Sequence, residues 1–209
     1  MTRKRRASST RWLNEHESDP YVREARARGY RSRARFKLEE IDQRDGLARR
    51  GMTVVELGAA PGGWCEYLRP RLGPSGRVIA VDLLPMDPIP GVEFLQGDFR
   101  EATVLDEVER RVAAAGVDLV LSDMAPNISG VAVTDQAATM GLTELAAAFA
   151  RDHLKPGGAL LVKVFEGDGL QEFVRELRAS FAKVAVRKPA ASRARSRELY
   201  VLARNYRVV

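Results

Sequence analysis

Apolar residues in this chain follow two periods that take turns from residue 53 to residue 203. Short runs in which almost every residue is apolar (53–57, 77–82, 92–96, 117–122 and 159–164) read as strands, the more apolar of them buried on both faces. Stretches with apolar residues three and four apart (62–72, 100–115, 134–153 and 169–181) read as helices. Pro156-Gly157-Gly158 stops the long Ala- and Leu-rich helix that ends at 153. Two last strands, 183–187 and 199–203, flank a basic loop and should pair antiparallel. Ahead of this region Asp19-Pro20 starts a helix that Gly29 stops, with Asp as N-cap and Pro at the first helical position. Ser32 is expected to cap a second helix, in which Ala34, Leu38 and Ile41 share a face. Alternating strand and helix predicts an α/β fold: a mostly parallel seven-stranded sheet with an antiparallel last strand and helices on both faces. A chain of 209 residues holds one such domain, 19–209, and little more.

Charge adds a partner class. Lys and Arg number 34 against 28 Asp and Glu, giving a net charge of +6 and a pI near 9.8. A basic balance predicts an anionic partner, of which nucleic acid is the commonest. Arginines crowd 3–11, 23–35 and 187–197, whereas 91–135 is neutral to acidic. Residues 1–18, polar and basic without apolar periodicity, are expected to be a flexible arm that orders on RNA, with the helices of 19–50 contributing to the same face. The single cysteine, Cys65, excludes an internal disulfide and any multi-cysteine metal site. Two histidines leave little for hydrolase chemistry, so no metal is expected. No apolar run approaches the ~20 residues of a membrane span, and the basic N-terminus lacks the apolar segment of a signal peptide. A cytoplasmic monomer is expected.

The candidate chemistry begins in Val54-Val55-Glu56-Leu57-Gly58-Ala59-Ala60-Pro61-Gly62-Gly63-Trp64. A buried strand runs through an acid into a glycine-rich turn that opens a helix. Glycines without a Cβ let backbone approach a nucleotide-like cofactor closely. The spacing is not the G-x-G-x-x-G of dinucleotide sites, and it suits S-adenosylmethionine better than NAD. Ligands of parallel sheets bind at the carboxyl ends of the strands, and here each of the first four strands ends near an acid: Glu56, Asp82, Asp98 and Asp123. Any one of them is as well explained by a turn or a cap; four along one rim are harder to dismiss. Asp82, 20 residues past Gly62, stands at the offset where an acid binds ribose hydroxyls. Asp98 is placed to accept from an adenine amine, and Gly62, Gly63 and Trp64 to line the amino-acid and ribose end. An acidic rim also suits an ammonium and a sulfonium and repels a pyrophosphate.

Lys163 lies inside the apolar run Leu161-Val162-Lys163-Val164-Phe165. On an edge strand it would face solvent, but so apolar a strand is better read as central, with Lys163 half-buried near the rim. Glu198 opens the last strand beside arginines and reads equally well as a surface ion pair.

Over nearly its whole length the chain resembles the FtsJ/RrmJ (RlmE) family of ribosomal RNA large-subunit 2′-O-methyltransferases. The likeness lies in Arg11-Trp12-Leu13, Arg31-Ser32-Arg33-Ala34 with Phe36-Lys37-Leu38, the glycine turn, Asp82-Leu83-Leu84-Pro85, Gln96-Gly97-Asp98-Phe99-Arg100, Ser122-Asp123-Met124-Ala125-Pro126-Asn127, Val162-Lys163-Val164-Phe165 and Ser192-Arg193-Ala194-Arg195-Ser196-Arg197-Glu198. It departs modestly, with Glu56 where Asp is also common and Cys65-Glu66 where a hydroxyl residue is frequent. The resemblance implies a Rossmann-like S-adenosylmethionine-dependent fold. It implies a catalytic tetrad of Lys37, Asp123, Lys163 and Glu198, and a cofactor site including Gly58, Pro61, Gly62, Gly63, Trp64, Asp82, Leu83, Asp98, Phe99 and Asp123. The implied reaction is in-line methyl transfer to a ribose 2′-hydroxyl of 23S rRNA, at a uridine of the A-loop in the assembled large subunit. Lys163 would act as a general base or as an orienting cation, and Lys37 would hold substrate. By residue type Trp12 and Tyr30 suit stacking on a base and suit a place in the core equally well. Competing readings are a tRNA 2′-O-methyltransferase, a ribosome-assembly factor without chemistry, and, least in keeping with the glycine spacing, a nicotinamide oxidoreductase.

Overall fold

In the computed structural model, residues 18–112, 116–126, 130–193 and 196–208 are described. The expected arm lies, but for Ser18, outside them, as do Trp12 and Asn127. Helices α1 (Pro20–Ala27) and α2 (Ala34–Asp45) precede β1 (Thr53–Leu57), α3 (Gly63–Leu72), β2 (Arg77–Asp82), β3 (Val92–Gln96), α4 (Ala102–Val112) and β4 (Val117–Ser122). Then come α5 (Ala132–His153), β5 (Leu154–Phe165), α6 (Leu170–Ser180), β6 (Phe181–Arg187) and β7 (Glu198–Tyr206). The strands form one seven-stranded sheet in the order β3-β2-β1-β4-β5-β7-β6. Strands β1 to β5 pair in parallel. The last strand, β7, runs antiparallel to both neighbours and slots between β5 and β6. The expected β6–β7 pair is therefore present, with β7 inside the sheet and β6 at its edge. Among the described residues no helix is long and apolar enough to cross a membrane.

Pleating divides the core in two. Val55, Leu57, Ile79, Val81, Val120, Leu160, Val162 and Val164 face α4, α5 and α6. Val54, Val78, Ala80, Leu119, Leu121, Leu161 and Leu202 face α2 and α3, where Leu38, Ile41, Trp64, Tyr67 and Leu68 cover them. Both faces are sealed, which is why the central strands read as nearly continuous apolar runs. Two local expectations need correction. Ser32 does not cap α2: Arg33 holds the N-cap position without a side-chain cap bond, and the Ser32 hydroxyl is buried without a hydrogen-bond partner because it packs on Gly63 instead. Pro156-Gly157-Gly158 does not separate helix from strand, since β5 already begins at Leu154, which pairs with Val117. The register then shifts between Val117 and Leu119, absorbing the irregular residues as a bulge.

Candidate active site

The glycine turn between β1 and α3 packs tightly. Gly58 has φ +80°, and a Cβ there would lie 2.8 Å from the Met124 nitrogen. Gly62 has φ +100°, and a Cβ there would meet Ile89 and Met86, each at 2.8 Å. Both positions therefore need glycine for their left-handed conformation, and Gly58 for space as well, since its neighbour is backbone whereas those of Gly62 are the ends of flexible side chains. The Ala60–Pro61 bond between them is cis. Asp82 organises the turn from β2: one carboxylate oxygen accepts from the Ala60 amide at 2.8 Å, and the other from Leu84 N, also at 2.8 Å.

Beyond the turn lies a cavity of about 840 Å³ at the carboxyl ends of the strands. Gly58, Asp82, Leu83, Asp98, Phe99 and Asp123, all expected from sequence, line it together with Met124, Ala125, Pro126 and the α5 residues Gly141 and Leu142. Pro61, Gly62, Gly63 and Trp64 are not among its lining residues. The Trp64 ring is 2% exposed; its Nε1 donates to Ala34 O at 2.7 Å and its ring packs 5.8 Å from that of Tyr200. Trp64 thus fastens α2 to the sheet.

The rim is less negative than the sequence suggests. Glu56 is 1% exposed and accepts from the Cys65 thiol at 2.9 Å. Burial, with the nearby Asp123 and Asp82 charges adding to it against the Cys65 bond, pushes its pKa up to about 8. Glu56 is therefore a neutral carboxylic acid at pH 7 beneath the turn, not a rim charge. Asp98 is exposed to the cavity but paired with the Arg100 guanidinium at 2.6 Å, a hydrogen bond that holds its carboxyl below the usual range. Of the four acids, Asp82 is the one whose carboxylate accepts from backbone amides and pairs with no cation among the described residues, so it carries the rim's charge toward a cationic ligand.

Asp123 closes one end of this cavity, and on its other side the remaining charged residues gather. Strand β5 alternates, so Lys163 shares the α2–α3 face with Leu161, and cross-strand register places it opposite Tyr200. Glu198, two residues earlier on β7, falls on the same face. Lys163, 7% exposed, donates to Asp123 O at 2.5 Å and pairs with Asp123 Oδ1 at 3.3 Å. Lys37 reaches in from α2 and pairs with Glu198 at 2.6 Å. Burial opposes ionisation of Asp123, but the Lys163 and Lys37 charges and the Tyr200 hydroxyl outweigh it and hold its pKa below the ordinary value. Lys37, Asp123, Lys163 and Glu198 thus come from four elements into two linked ion pairs.

Two members of this cluster were not singled out from sequence. The Tyr200 hydroxyl donates to Asp123 Oδ1 at 2.7 Å and stands 3.5 Å from Glu198 Oε1. The Ser192 hydroxyl donates to Glu198 at 3.0 Å. Tyr200 reads in the sequence as one more aromatic in an apolar strand; the period-two offset from Glu198 was the available signal.

Arginines expected to reach phosphate are mostly committed within the chain. Arg33 pairs with Asp19 and donates to Ala191 O, and Arg193 also pairs with Asp19 at 3.3 Å. Arg35 is buried, 3.9 Å above the Tyr30 ring, which Phe36 flanks as well. Arg197 donates to Glu166 O. Arg23 and Arg26 on α1 and Arg28 at its C-cap are exposed, Arg28 pairing locally with Glu24 at 2.6 Å and Arg23 donating to Ser18 O at 3.1 Å.

Comparison with known proteins supplies the family. The chain is 60% identical over 199 residues, 95% of its own length and 97% of the relative's, to the Ribosomal RNA large subunit methyltransferase E of Azoarcus sp. (strain BH72). A crystal structure assigned as a ribosomal RNA methyltransferase from Plasmodium falciparum superposes with a TM-score of 0.77 at 28% identity, covering 85% of this chain and 98% of that one. A more distant neighbour, at TM-score 0.50 and 14% identity over 76% of this chain and 89% of its own, shares the fold alone; it comes from Streptococcus mutans, is assigned as a methyltransferase and was solved in complex with SAH. The family model for FtsJ-like methyltransferases matches residues 30–206, from the segment that positions Lys37 to the end of β7, and the chain belongs to that family.

Proposed function

We propose that this protein methylates a ribose 2′-hydroxyl of 23S rRNA in the large ribosomal subunit, at a uridine of the A-loop, with S-adenosylmethionine as donor. The observation that carries the reading is the double membership of Asp123: it lines the nucleotide-sized cavity and pairs with Lys163 in the charged cluster. The residues fit the donor. Gly58 opens the turn to close approach, Asp82 stands at the ribose-binding position, and the cavity of about 840 Å³ is apolar around Leu83, Phe99 and Leu142. When bound, S-adenosylmethionine supplies an electrophilic methyl group whose leaving group is a neutral thioether. The rRNA substrate rests on the relative whose name states it; the Streptococcus mutans neighbour in complex with SAH supports the donor only as far as a shared fold allows.

The protein's own task is then to present the hydroxyl. Lys163, donating to Asp123 O and paired with its carboxylate, is suited to orient the hydroxyl and stabilise negative charge developing on it. This geometry favours the orienting cation over the general base, because a base must give up the charge that the Asp123 pair stabilises; the hydroxyl proton would then leave to solvent as the oxygen–methyl bond forms and the sulfur–methyl bond breaks. Lys37, held by Glu198, fixes the acceptor ribose or its phosphate from the α2 side. Alignment of this kind contributes several kcal/mol, up to ~7–11 in the best cases. Isothermal titration with S-adenosylmethionine and with NAD tests the donor, with binding of the former alone expected. Methylation of large subunits lacking the modification, read by ribose-specific mass mapping, tests the acceptor. Methyl groups found on tRNA or on a base instead would overturn it.

A further inference from the structure

Arg31 lies in the α1–α2 linker, outside the donor cavity, and its guanidinium is aimed at backbone. Nη1 donates to Asp87 O at 2.8 Å and to Pro61 O at 3.3 Å. Nη2 donates to Pro88 O at 2.9 Å. The Arg31 amide is itself tied to Glu66 Oε2 on α3 at 3.3 Å. One side chain thus joins the linker to the glycine turn and to the proline-rich loop of residues 83–90. That loop begins with Leu83 and Leu84, which line the donor cavity, and its Met86 and Ile89 press on Gly62, as does the Arg31 Cδ. A planar fork holds its donors at a fixed spacing and so fixes carbonyls of two loops relative to one another; the three rotatable donors of an ammonium can bond carbonyls but do not impose that geometry.

We propose that Arg31 is a positioning residue for the methyl donor: its guanidinium clamps the 83–90 loop onto the glycine turn and so sets the wall of the donor cavity. The inference rests on the reading of that cavity as the S-adenosylmethionine site. It separates Arg31 from a phosphate-contacting role, the other use an arginine of a basic linker has. The clamp also makes one frame of the linker leading to α2, which carries Lys37, and the cavity wall.

The test titrates S-adenosylmethionine and SAH into wild type, Arg31→Ala and Arg31→Lys, with melting temperature and large-subunit binding measured alongside. Loss of two or three hydrogen bonds is expected to weaken both ligands about tenfold or more in Arg31→Ala. Arg31→Lys keeps the charge, so it is expected to show most of that loss with large-subunit binding near wild type. At saturating donor, kcat should return to within about threefold of wild type in both variants, the signature of a defect confined to donor binding. Unchanged donor affinity in a folded Arg31→Lys, or a loss confined to large-subunit binding, overturns the proposal. Failure of the wild-type protein to bind S-adenosylmethionine would instead refute the donor reading on which the proposal stands.

Discussion

Asp123 answers to two neighbours, and single-residue changes around it separate binding from chemistry. Lys163→Ala removes the cation paired with Asp123 while leaving the cavity lining intact. Methyl transfer is expected to fall about 100- to 1000-fold, as when one preorganised donor is lost, with donor affinity within a fewfold by titration. Near-normal turnover would remove Lys163 from the chemistry. Tyr200→Phe deletes the donor to Asp123 Oδ1 and retains the ring against Trp64, so a loss in kcat of about tenfold is expected with little change in melting temperature. Glu56 gives a pH prediction. In the unfolded chain its carboxyl ionises near 4.5, and in the folded chain near 8. Folding therefore takes up a proton between those values, and this residue's contribution to stability declines as pH rises through that window, levelling off above about 8. Glu56→Gln should remove that decline, melting higher than wild type at pH 9 and no higher at pH 4. Parallel melting curves across pH would show that Glu56 is not the neutral acid its burial requires.

At the scale of elements, the turn after β1 and the loop before β7 hold the site from opposite sides. Gly58→Ala sets a Cβ 2.8 Å from Met124 backbone at a positive φ, so loss of donor binding is expected even where the chain folds. The loop before Glu198 is fixed to α1 and α2 through Asp19, Arg33, Arg193 and the Glu40 bond to Ala190 N at 2.7 Å. Asp19 also caps α1, accepting from Tyr21 N at 3.0 Å. Asp19→Ala should therefore cost about 1–2 kcal/mol from the cap alone, visible in denaturant melts, and should lower turnover by loosening Glu198. Unaltered turnover would mean that the loop does not depend on this anchor. The order of elements was legible because apolar period follows backbone geometry directly: the sealed β1, β2 and β4 read as apolar runs, and Asp19-Pro20 announced α1. Ser32 was not, since a hydroxyl before a helix signals a cap only until tertiary packing claims it, here against Gly63. The insertion of β7 between β5 and β6 was likewise hidden, because local pattern fixes the pairing of neighbours in sequence and says nothing of which strand lies inside. Asp123 was legible as a strand-end acid and Lys163 as a lysine inside an apolar strand; Lys37, and the grouping of these with Glu198, came from family likeness. The contacts that link them depend on the packing of α2 and on cross-strand register, which also brings in Tyr200.

Across the whole molecule, a cavity lined by Asp82 and Asp123 stands beside a charged cluster, with Arg23 and Arg26 on α1 and Arg28 at its C-cap exposed. Net charge of +6 favours a polyanion, and each phosphate contact releases counterions, so association with large subunits should weaken steeply with salt. Binding that ignores ionic strength would count against a backbone-reading interface. Among the described residues, much of the expected arginine surface is internal fastening, as Arg31, Arg33, Arg35 and Arg193 show. The central claim is that cavity and cluster together direct a methyl group to ribose. It is tested most directly by incubating undermodified large subunits with S-adenosylmethionine and either wild type or Lys163→Ala, then mapping ribose methylation in 23S rRNA by mass. The account expects a 2′-O-methyl group at one A-loop uridine with wild type, formed about 100- to 1000-fold more slowly with the variant; no new ribose methylation with wild type, or equal rates with both, would contradict it.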